Sequence, residues 1–448
     1  MSSGQVDFSG ENVRRNVLAV AAPMLVAQIV NLLYNIVDRI YIGKIPGEGM
    51  IALAGLGLCF PVITMVTAFA NLFGLGGAPL CSIARGKKDT EGARKVMNNA
   101  FFMLILTGVC ITVFGIIFHK PILYLFGASD ATYPYAAGYM IIYLLGTVFV
   151  MISLGMNPYI NSQGFAKIGM QTVALGAVSN LILDPVFIFV FHLGVRGAAI
   201  ATIISQFFSA VWVLRFLTGK KAELTLNLKG FRPDWACIFE IAKLGTSTFV
   251  MSFTNGLVQV VCNAMLSVYG GDLYISVMTV INSIREIAQT PVMAVADGSS
   301  PIISYNYGAR KYDLMKKAIR FMTQICFAYS FIIWVLICAF PELFIRIFNQ
   351  DVELIGAAVP SLHIYFFGFF MMAFQFTGQC VFKALNKAPQ AVFFSILRKA
   401  VIVAPLTVIL PRIGGLGVAG VFMAEPISNF IGGLACYITM QCTVLRKL

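Results

Sequence analysis

Charged residues are scarce in this sequence. Asp, Glu, Lys and Arg together form 11% of its 448 residues, whereas hydrophobic residues form 59%. A soluble globular domain carries about 25% charged residues, so the composition excludes a soluble protein. Helices and closed barrels are the structures that can span a bilayer, and the apolar runs are long enough for helices. We therefore predict an all-α polytopic membrane protein.

Histidines and closely paired cysteines are also scarce. The chain has three histidines, and its ten cysteines occur singly, without a CxxC pair. This pattern excludes a typical zinc site and a disulfide framework. The sequence also lacks the HExxH and GxSxG motifs of common hydrolases. We expect no catalytic residues, no metal and no cofactor, and we do not expect an enzyme.

Long apolar runs dominate the sequence instead. A helix needs about 20 apolar residues to cross ~30 Å of hydrocarbon, and twelve runs meet this length. They cover residues 16–43, 52–80, 96–118, 134–160, 169–191, 197–218, 237–268, 274–305, 318–340, 356–382, 391–410 and 416–444. We therefore predict twelve transmembrane helices.

The basic residues give the chain an orientation. If both termini are cytoplasmic, the inner loops and tails hold 23 of the 32 Lys and Arg residues and the outer loops hold five. This bias follows the positive-inside rule, and it explains the net charge of +13 without a nucleic-acid partner. We predict a multi-pass protein of a bacterial-type cytoplasmic membrane, with both termini cytoplasmic, and we expect a monomer.

The chain consists of two similar halves. PLCSIARGKKD, from residue 79, matches PIISYNYGARK at an offset of 222, and LGVRGAAIATIISQF, from residue 193, matches LGVAGVFMAEPISNF at an offset of 223. A repeat of six spans gives both copies the same orientation, so we predict two parallel six-helix lobes related by a pseudo-twofold axis. The expected N-terminal lobe is 1–218, the cytoplasmic inter-lobe linker is 219–235 and the C-terminal lobe is 236–448.

One face of the first span is polar. Gln28, Asn31, Asn35 and Asp38 follow each other at intervals of three and four, so their side chains share one side of a helix. Such a stripe in an apolar helix must face protein or water. Asp38 either takes part in ion binding or pairs with the arginine that follows it. Pro23, earlier in this span, is a candidate hinge.

A second polar group interrupts the fifth span, NLILDPVFIF. Asn180 and Asp184 are four residues apart and share a face, and Pro185 removes one backbone N–H donor and is a second candidate hinge. Asn157 in the fourth span and Thr202 in the sixth add further oxygen atoms. If these groups converge, the N-terminal lobe holds an oxygen-rich pocket with two carboxylates. A proton or a sodium ion would relieve the repulsion between them; alternatively, Asp184 is permanently neutralised by hydrogen bonds that hold helices together.

The C-terminal half repeats the polar stripe without its acid, because a cysteine occupies the position of Asp38. Its polar residues are expected to line a wet substrate cavity, together with Asn31 and Asn35. These candidates are Asn255, Gln259, Asn282, Glu286, Gln289, Met293 and Gln375. For Glu425 the alternatives are a structural salt bridge with Arg398 and a contact with substrate.

Five motifs in order give the chain a family resemblance. They are YNIVDRIYIG, NSQGFAK, NLILDP, LGVRGAA and the xPxxxxNxG pattern around PIISYNYGA. Together they resemble the multidrug and toxic compound extrusion (MATE) family of secondary transporters, over about residues 12–445. The resemblance implies two six-helix lobes and export of amphipathic or cationic drug-like compounds by antiport with protons, or with sodium, through alternating access.

The resemblance also implies a site. Members with coupling acids in the N-terminal lobe have residues that match Asp38, Asn157, Asn180, Asp184 and Thr202. The other subgroup uses acids of the C-terminal lobe, including one in the seventh span, and that span has none in its polar stripe here. A flippase for a lipid-linked precursor, from a related superfamily, is the alternative; a strongly cationic cavity would favour it.

Overall fold

In the part of the chain that the structure describes, all regular secondary structure is helical. The structure is a computed structural model, and it describes residues 5–45, 49–348 and 350–447, without the side chains of Asn35, Arg39, Met50, Leu53, Ala54 and Asp272. Its α-helices are α1 Val13–Gly43, α2 Gly49–Gly86, α3 Thr90–Leu125, α4 Tyr133–Leu145, α5 Thr147–Ser162, α6 Ala166–Pro185, α7 Gly194–Leu217, α8 Trp235–Gly308, α9 Tyr312–Ala339, α10 Pro341–Arg346, α11 Val352–Phe366, α12 Met372–Ala384, α13 Ala388–Ile396, α14 Ala404–Ile409 and α15 Gly417–Met440. Short 3₁₀ turns lie at Phe369–Met371 and Leu410–Arg412, and π-helical segments lie at Val186–Val190, Leu397–Val403 and Gln441–Leu445.

The helices account for the predicted spans. Within the described ranges, nine helical segments are long and apolar enough to cross a membrane, and the bent pairs α4–α5 and α11–α12 raise this number to eleven. The remaining predicted span, 274–305, is the second part of α8, which breaks at Gly271 with a left-handed φ of 65°. Its charges, among them Arg285 and Asp297, lower its hydropathy. The predicted all-α polytopic membrane fold is confirmed.

Contacts divide the chain into two compact units. The first comprises Met1–Asp7 and Ala22–Gly245, and the second comprises Phe8–Ala21 and Thr246–Leu448. In the first unit α2 packs against α3 and α5, and α6 packs against α7; in the second, α12 packs against α9 and α15. Each unit has its own buried apolar core.

The observed boundary differs from the predicted one. Residues 219–235, which we expected to link the lobes, belong to the first unit. This segment is hydrophilic, yet its backbone is tied to that unit: the Leu224 N–H donates to Oε1 of Gln163 at 2.8 Å, and Nδ2 of Asn98 donates to the Asn227 carbonyl at 2.8 Å. Polar composition alone does not show which unit a segment packs against.

The repeat in the sequence recurs in backbone conformation. Left-handed residues end equivalent helices or turns in both halves, at the same offset of 222 or 223. The pairs are Lys88 (φ 62°) with Arg310 (φ 58°), Gly164 (φ 90°) with Asn386 (φ 56°), and His192 (φ 53°) with Gly415 (φ 75°). The fourth span of each half is also a bent pair, with angles of 57° and 40°. The two halves thus share local geometry as well as sequence.

Capping aspartates define the start of several helices. Oδ1 of Asp89 accepts the Gly92 N–H at 2.8 Å at the start of α3. Oδ1 of Asp234 accepts the Cys237 N–H at 3.0 Å at the start of α8, and its carboxylate pairs with Lys95. The hydrogen bond from Lys95 and the one from the Cys237 N–H lower the pKa of Asp234.

Candidate ion-coupling and substrate sites

Asn180 and Asp184 meet one turn apart on α6, as their spacing predicts. Nδ2 of Asn180 donates to Oδ1 of Asp184 at 3.1 Å, and it lies 3.5 Å from Oγ1 of Thr202 on α7. Asn180 is 3% exposed and Asp184 is 1% exposed. A carboxylate this deeply buried needs hydrogen bonds or a counter-ion to offset its lost hydration.

The backbone is irregular next to Asp184. Pro185 has no N–H to donate, and the following N–H, of Val186, bonds to the Leu183 carbonyl. The chain then continues as the π-helical segment Val186–Val190, where the Phe191 N–H bonds to the Val186 carbonyl at 2.9 Å. Single π-helical turns within α-helices often occur at functional sites. Pro185 therefore marks a change of helix geometry beside the buried acid.

Asp38 of α1 meets Asp184. Asp38 lies within electrostatic range of Asp184, and Oδ2 of Asp184 accepts no hydrogen bond from a donor in the described residues. The structure thus brings together the two acids that the sequence singled out.

Two tyrosines complete this group. Tyr34 of α1 lies within electrostatic range of both Asp38 and Asp184. Tyr139 of α4 is 4% exposed and lies near Asp38 and Thr202. We call Tyr34, Asp38, Tyr139, Asn180, Asp184 and Thr202 the carboxylate pair site.

A small cavity adjoins the carboxylate pair site. Its volume is about 40 Å³, and its lining includes Asn31, Tyr34, Asn180, Thr202 and Gln206. A water molecule needs about 10–15 Å³ of such space, so the cavity can admit water or a small cation but not a drug-sized compound. Asn31, which we had assigned to the substrate cavity, therefore lies beside the ion-coupling candidates.

Asn157 does not join the carboxylate pair site. Its Nδ2 donates to the Gly169 carbonyl at 3.1 Å near the start of α6. Gly169 precedes Asn180 by eleven residues, which is about 16 Å along a helix at 1.5 Å per residue. That Asn157 belongs to the fourth predicted span did not show how far along the helix bundle its side chain lies. The side chain of Asn35 lies outside the described residues.

A larger cavity lies within the second unit. Its volume is about 230 Å³, and its polar lining contains five predicted residues: Asn255, Gln259, Asn282, Glu286 and Gln289. A smaller adjoining cavity of about 60 Å³ is lined by Asn255, Gln289, Met293 and Gln375, among others. Seven of the nine predicted cavity residues thus line two neighbouring cavities of one unit.

A buried charge cluster forms part of the same lining. Nη2 of Arg398 donates to Oε1 of Glu425 at 2.7 Å, Nζ of Lys399 lies 3.1 Å from both carboxylate oxygens, and Nη1 of Arg285 lies 3.7 Å from Oε1. Arg398, Lys399 and Glu425 are each about 5% exposed or less. Of the two roles considered for Glu425, the salt bridge with Arg398 is present.

Hydrogen bonds connect this cluster to the amide-lined wall. Nη1 of Arg285 donates to the Tyr365 hydroxyl at 2.8 Å, and that hydroxyl lies 3.4 Å from Oδ1 of Asn282. Nδ2 of Asn282 in turn donates to Oε1 of Gln259 at 2.8 Å. The wall is therefore ordered by its own contacts before any ligand binds.

Sequence reasoning missed both tyrosine positions in the carboxylate pair site. Tyr34 lies three residues after Asn31 and four before Asp38, so the helical period of the polar stripe could have found it. Tyr139 lies in a separate apolar span and carried no such signal. Likewise, Tyr365 follows no polar stripe, and its place in the larger cavity came from the fold alone.

Comparisons with known proteins agree with this architecture. The family model MatE, which describes MATE transporters, matches residues 23–186 and 248–409. The chain belongs to the MATE family. It is a multi-pass membrane transporter. The sequence is 26% identical over 443 residues to the multidrug export protein MepA of Staphylococcus saprophyticus, covering 98% of this chain and 97% of that protein. It is also 26% identical to MepA of Staphylococcus haemolyticus, over 96% of this chain and 94% of that one.

Solved structures share the fold. An outward-facing multidrug resistance MATE transporter superposes with a TM-score of 0.92 at 22% identity, over the full length of both chains. A MATE transporter in a straight conformation gives a TM-score of 0.93 at 22% identity, again over both full lengths. The MATE fold predicted from the sequence is therefore confirmed, and these structural matches speak to the fold alone.

Proposed function

We propose that this MATE protein exports amphipathic or cationic drug-like compounds by antiport with protons through alternating access, with sodium as the alternative coupling ion. The observation that carries the proposal is that Asp38 lies within electrostatic range of Asp184, which is buried in the first unit. The two staphylococcal relatives given above are named as multidrug export proteins, which supports the substrate class.

The paired acids supply a reason for ion coupling. Two neighbouring carboxylates in a medium of low dielectric repel each other and lose hydration. One proton removes one charge and creates a donor for the other carboxylate. One sodium ion would instead neutralise the pair and use the oxygen atoms of Thr202 and Asn180 as further ligands. Proton binding requires only the acids, so we prefer it.

Coupling also requires that ion and substrate favour different conformations. A ligand that binds two states equally shifts neither. With the pair ionised, an open and hydrated site is favoured; with the pair protonated, a closed and dry site is tolerated. Pro23 and Pro185 are the proposed hinges. Pro23 lies inside α1, next to the point at Ala21 where the chain passes between the two units.

The larger cavity of the second unit is the proposed substrate site. Its amides offer both donors and acceptors, Met293 of the adjoining cavity is an adaptable apolar contact, and Glu286 is a carboxylate exposed at its edge. A cationic compound would pair with Glu286 there. The proposal includes a monomer without catalytic activity, placed in a cytoplasmic membrane with both termini inside.

One observation favours the flippase alternative. The lining of the two cavities contains three basic residues, Arg285, Arg398 and Lys399, against the acids Glu286 and Glu425. Within this lining the bases are in excess. A pyrophosphate-linked lipid could use that excess, so the functional test must separate the two activities.

Transport into liposomes separates them. Purified protein is reconstituted with an imposed pH gradient, then with an imposed sodium gradient, and uptake of ethidium is followed by its fluorescence on enclosed DNA. We expect accumulation that depends on the pH gradient and disappears when an ionophore collapses it. Transbilayer movement of a fluorescent lipid-linked pyrophosphate, without gradient-dependent ethidium transport, would overturn the proposal in favour of the flippase.

A further inference from the structure

The charge cluster of the second unit is not balanced. Arg285, Arg398 and Lys399 surround the single carboxylate of Glu425, at distances of 2.7 to 3.7 Å. With every group ionised, these four side chains carry a net charge of +2. If Lys399 were neutral, the net charge would still be +1. Buried charges without partners are costly, so this excess calls for a counter-charge.

Glu286 cannot supply the whole counter-charge. It is the only other acid in the lining of either cavity among the described residues, and its side chain is exposed, whereas the cluster is buried. No ion pair joins it to Arg285, Arg398 or Lys399 within the described contacts. A rim acid in a hydrated position interacts with buried bases through water and is strongly screened. Even with Glu286 counted, the lining keeps a net positive charge.

The bases also keep unused hydrogen-bond donors. A guanidinium group has five N–H donors, but Arg398 uses only Nη2 for its bonds, to Glu425 and to Oδ1 of Asn429. Nε of Arg398 and Nε of Arg285 have no partner among the described residues. Arg398 is 5% exposed, so bulk water does not readily satisfy these donors. They belong to residues that line the 60 Å³ cavity.

The local backbone brings two of the bases together. Arg398 and Lys399 are consecutive and would point about 100° apart on a regular helix. Here they lie in the π-helical segment Leu397–Val403, in which the Ala404 N–H bonds to the Lys399 carbonyl, and both side chains reach Glu425. The segment therefore concentrates positive charge at one wall of the cavity.

We propose that this wall binds an anionic group, of which an organic carboxylate is the representative, and that compounds carrying one are ligands of the second unit. The planar carboxylate matches the fork of a guanidinium, which can donate two parallel hydrogen bonds. A carboxylate would pair with the guanidinium groups of Arg398 and Arg285 at the cavity wall and offset the excess charge beside Lys399. The ligand range then includes anions and zwitterions as well as cations, which bind at Glu286. Export of such ligands rests on the proposed function, whereas their binding is independent of it.

A matched pair of ligands tests this assignment. Naphthalene-2-acetate and naphthalene-2-acetamide share size and ring and differ in charge, and each is titrated by calorimetry into the protein in lipid nanodiscs, with empty nanodiscs as the blank. We expect the carboxylate to bind at least about tenfold more tightly than the amide, the effect of one charge-assisted hydrogen bond. Equal affinities, or preference for the amide, would overturn the proposal without any variant.

Variants then locate the site. Lys399→Gln removes one base yet leaves Glu425 paired with Arg285 and Arg398, so the fold should be retained. We expect it to weaken carboxylate binding about tenfold and to leave amide binding unchanged, whereas Lys399→Arg retains the preference. Lys243→Gln, at an exposed lysine of the first unit, is the matched control and should change neither affinity. Loss of the preference in Lys243→Gln, or its persistence at full size in both Lys399→Gln and Arg398→Gln, would contradict the assignment.

The outcomes separate this inference from the proposed function. Binding is measured at equilibrium without any gradient. Carboxylate selectivity combined with failure of gradient-driven ethidium transport would leave the anion site standing and reject the antiport. Gradient-driven transport of ethidium combined with equal binding of the two naphthalene ligands would support the antiport and reject the anion site.

Discussion

Oδ1 of Asp184 accepts a hydrogen bond from Nδ2 of Asn180 at 3.1 Å, and the same amide nitrogen lies 3.5 Å from Oγ1 of Thr202. One side chain thus connects the acid of α6 with the hydroxyl of α7. A proton needs only the carboxyl groups, whereas a sodium ion takes several oxygen ligands, as hard cations do. Sodium binding would therefore use the Thr202 hydroxyl oxygen as a ligand, whereas proton binding would not.

Thr202→Val tests this difference, because valine keeps the shape and removes the oxygen. We expect transport driven by a pH gradient to fall by less than about tenfold, since one neutral hydrogen bond contributes about 1 kcal/mol net. Ethidium transport in liposomes, driven by each gradient in turn, provides the measurement. Loss of all transport in Thr202→Val, together with sodium-driven transport by the wild type, would show that sodium is the coupling ion.

Glu286→Gln tests the predicted contact with cationic compounds. Glu286 is an exposed carboxylate at the edge of the larger cavity, so its loss should weaken binding of ethidium about fivefold, the upper range for an exposed ion pair. Binding of the neutral dye Nile red should remain unchanged. Fluorescence titration of both dyes measures this, with Glu353→Gln, at an exposed acid of α11, as the control. Equal losses for the two dyes would show that Glu286 has a structural role.

Gly74→Ala tests the close approach of α2 and α5. A Cβ at Gly74 would lie 2.7 Å from the Gly155 carbonyl oxygen and 3.0 Å from its Cα, whereas a Cβ at Gly57 in the same helix meets nothing within 4 Å. Overpacking against backbone costs about 1–3 kcal/mol, so Gly74→Ala should lower the melting temperature in detergent. Gly57→Ala should leave it unchanged or raise it, because alanine favours helix. A similar decrease in both variants would reject this view of the contact.

Cysteine labelling tests the proposed topology. Cysteines substituted at Lys44 or Arg346 should react with an impermeant maleimide added to intact cells, and those at Lys87 or Lys316 should not, because the first two lie in predicted outer loops. The exposed Cys110 and Cys442 are first replaced by serine to remove background. Lysed cells provide the control, in which Lys87→Cys must react. Labelling of Lys87→Cys or Lys316→Cys in intact cells would refute a cytoplasmic placement.

Much of the fold followed from period and composition. Apolar length predicted the spans, and the sequence repeat at an offset of 222 recurs in the left-handed residues Lys88 and Arg310. The boundary at Gly245 could not be predicted, because it depends on which side chains tie down the polar segment after α7. The charge and polarity of a segment can be read from the sequence, but the side chains that it contacts in the fold cannot.

The site was predictable where residues share one helix. Asn180 and Asp184 meet because four residues make about one turn, and their hydrogen bond is present. Asn157 bonds the Gly169 carbonyl instead, because its depth depends on the packing of α5 against α6, which no spacing encodes. Arg398 was recognised as a possible partner of Glu425, but the π-helical segment that contains Arg398 and Lys399 was not visible in the sequence.

The most direct test of the account is uphill transport by Asp184→Asn and, separately, by Asp38→Asn. Asparagine keeps the shape of each side chain and removes the carboxylate that carries the ion. The measurement is ethidium accumulation in liposomes under an imposed pH gradient, paired with ethidium binding in detergent, and Asp313→Asn, at an exposed aspartate of α9, is the control. We predict that both variants fold and bind ethidium but do not accumulate it, while the control transports normally. Accumulation at the wild-type rate, with unchanged dependence on the gradient, in either Asp184→Asn or Asp38→Asn would contradict the claim that this carboxylate pair couples the driving ion.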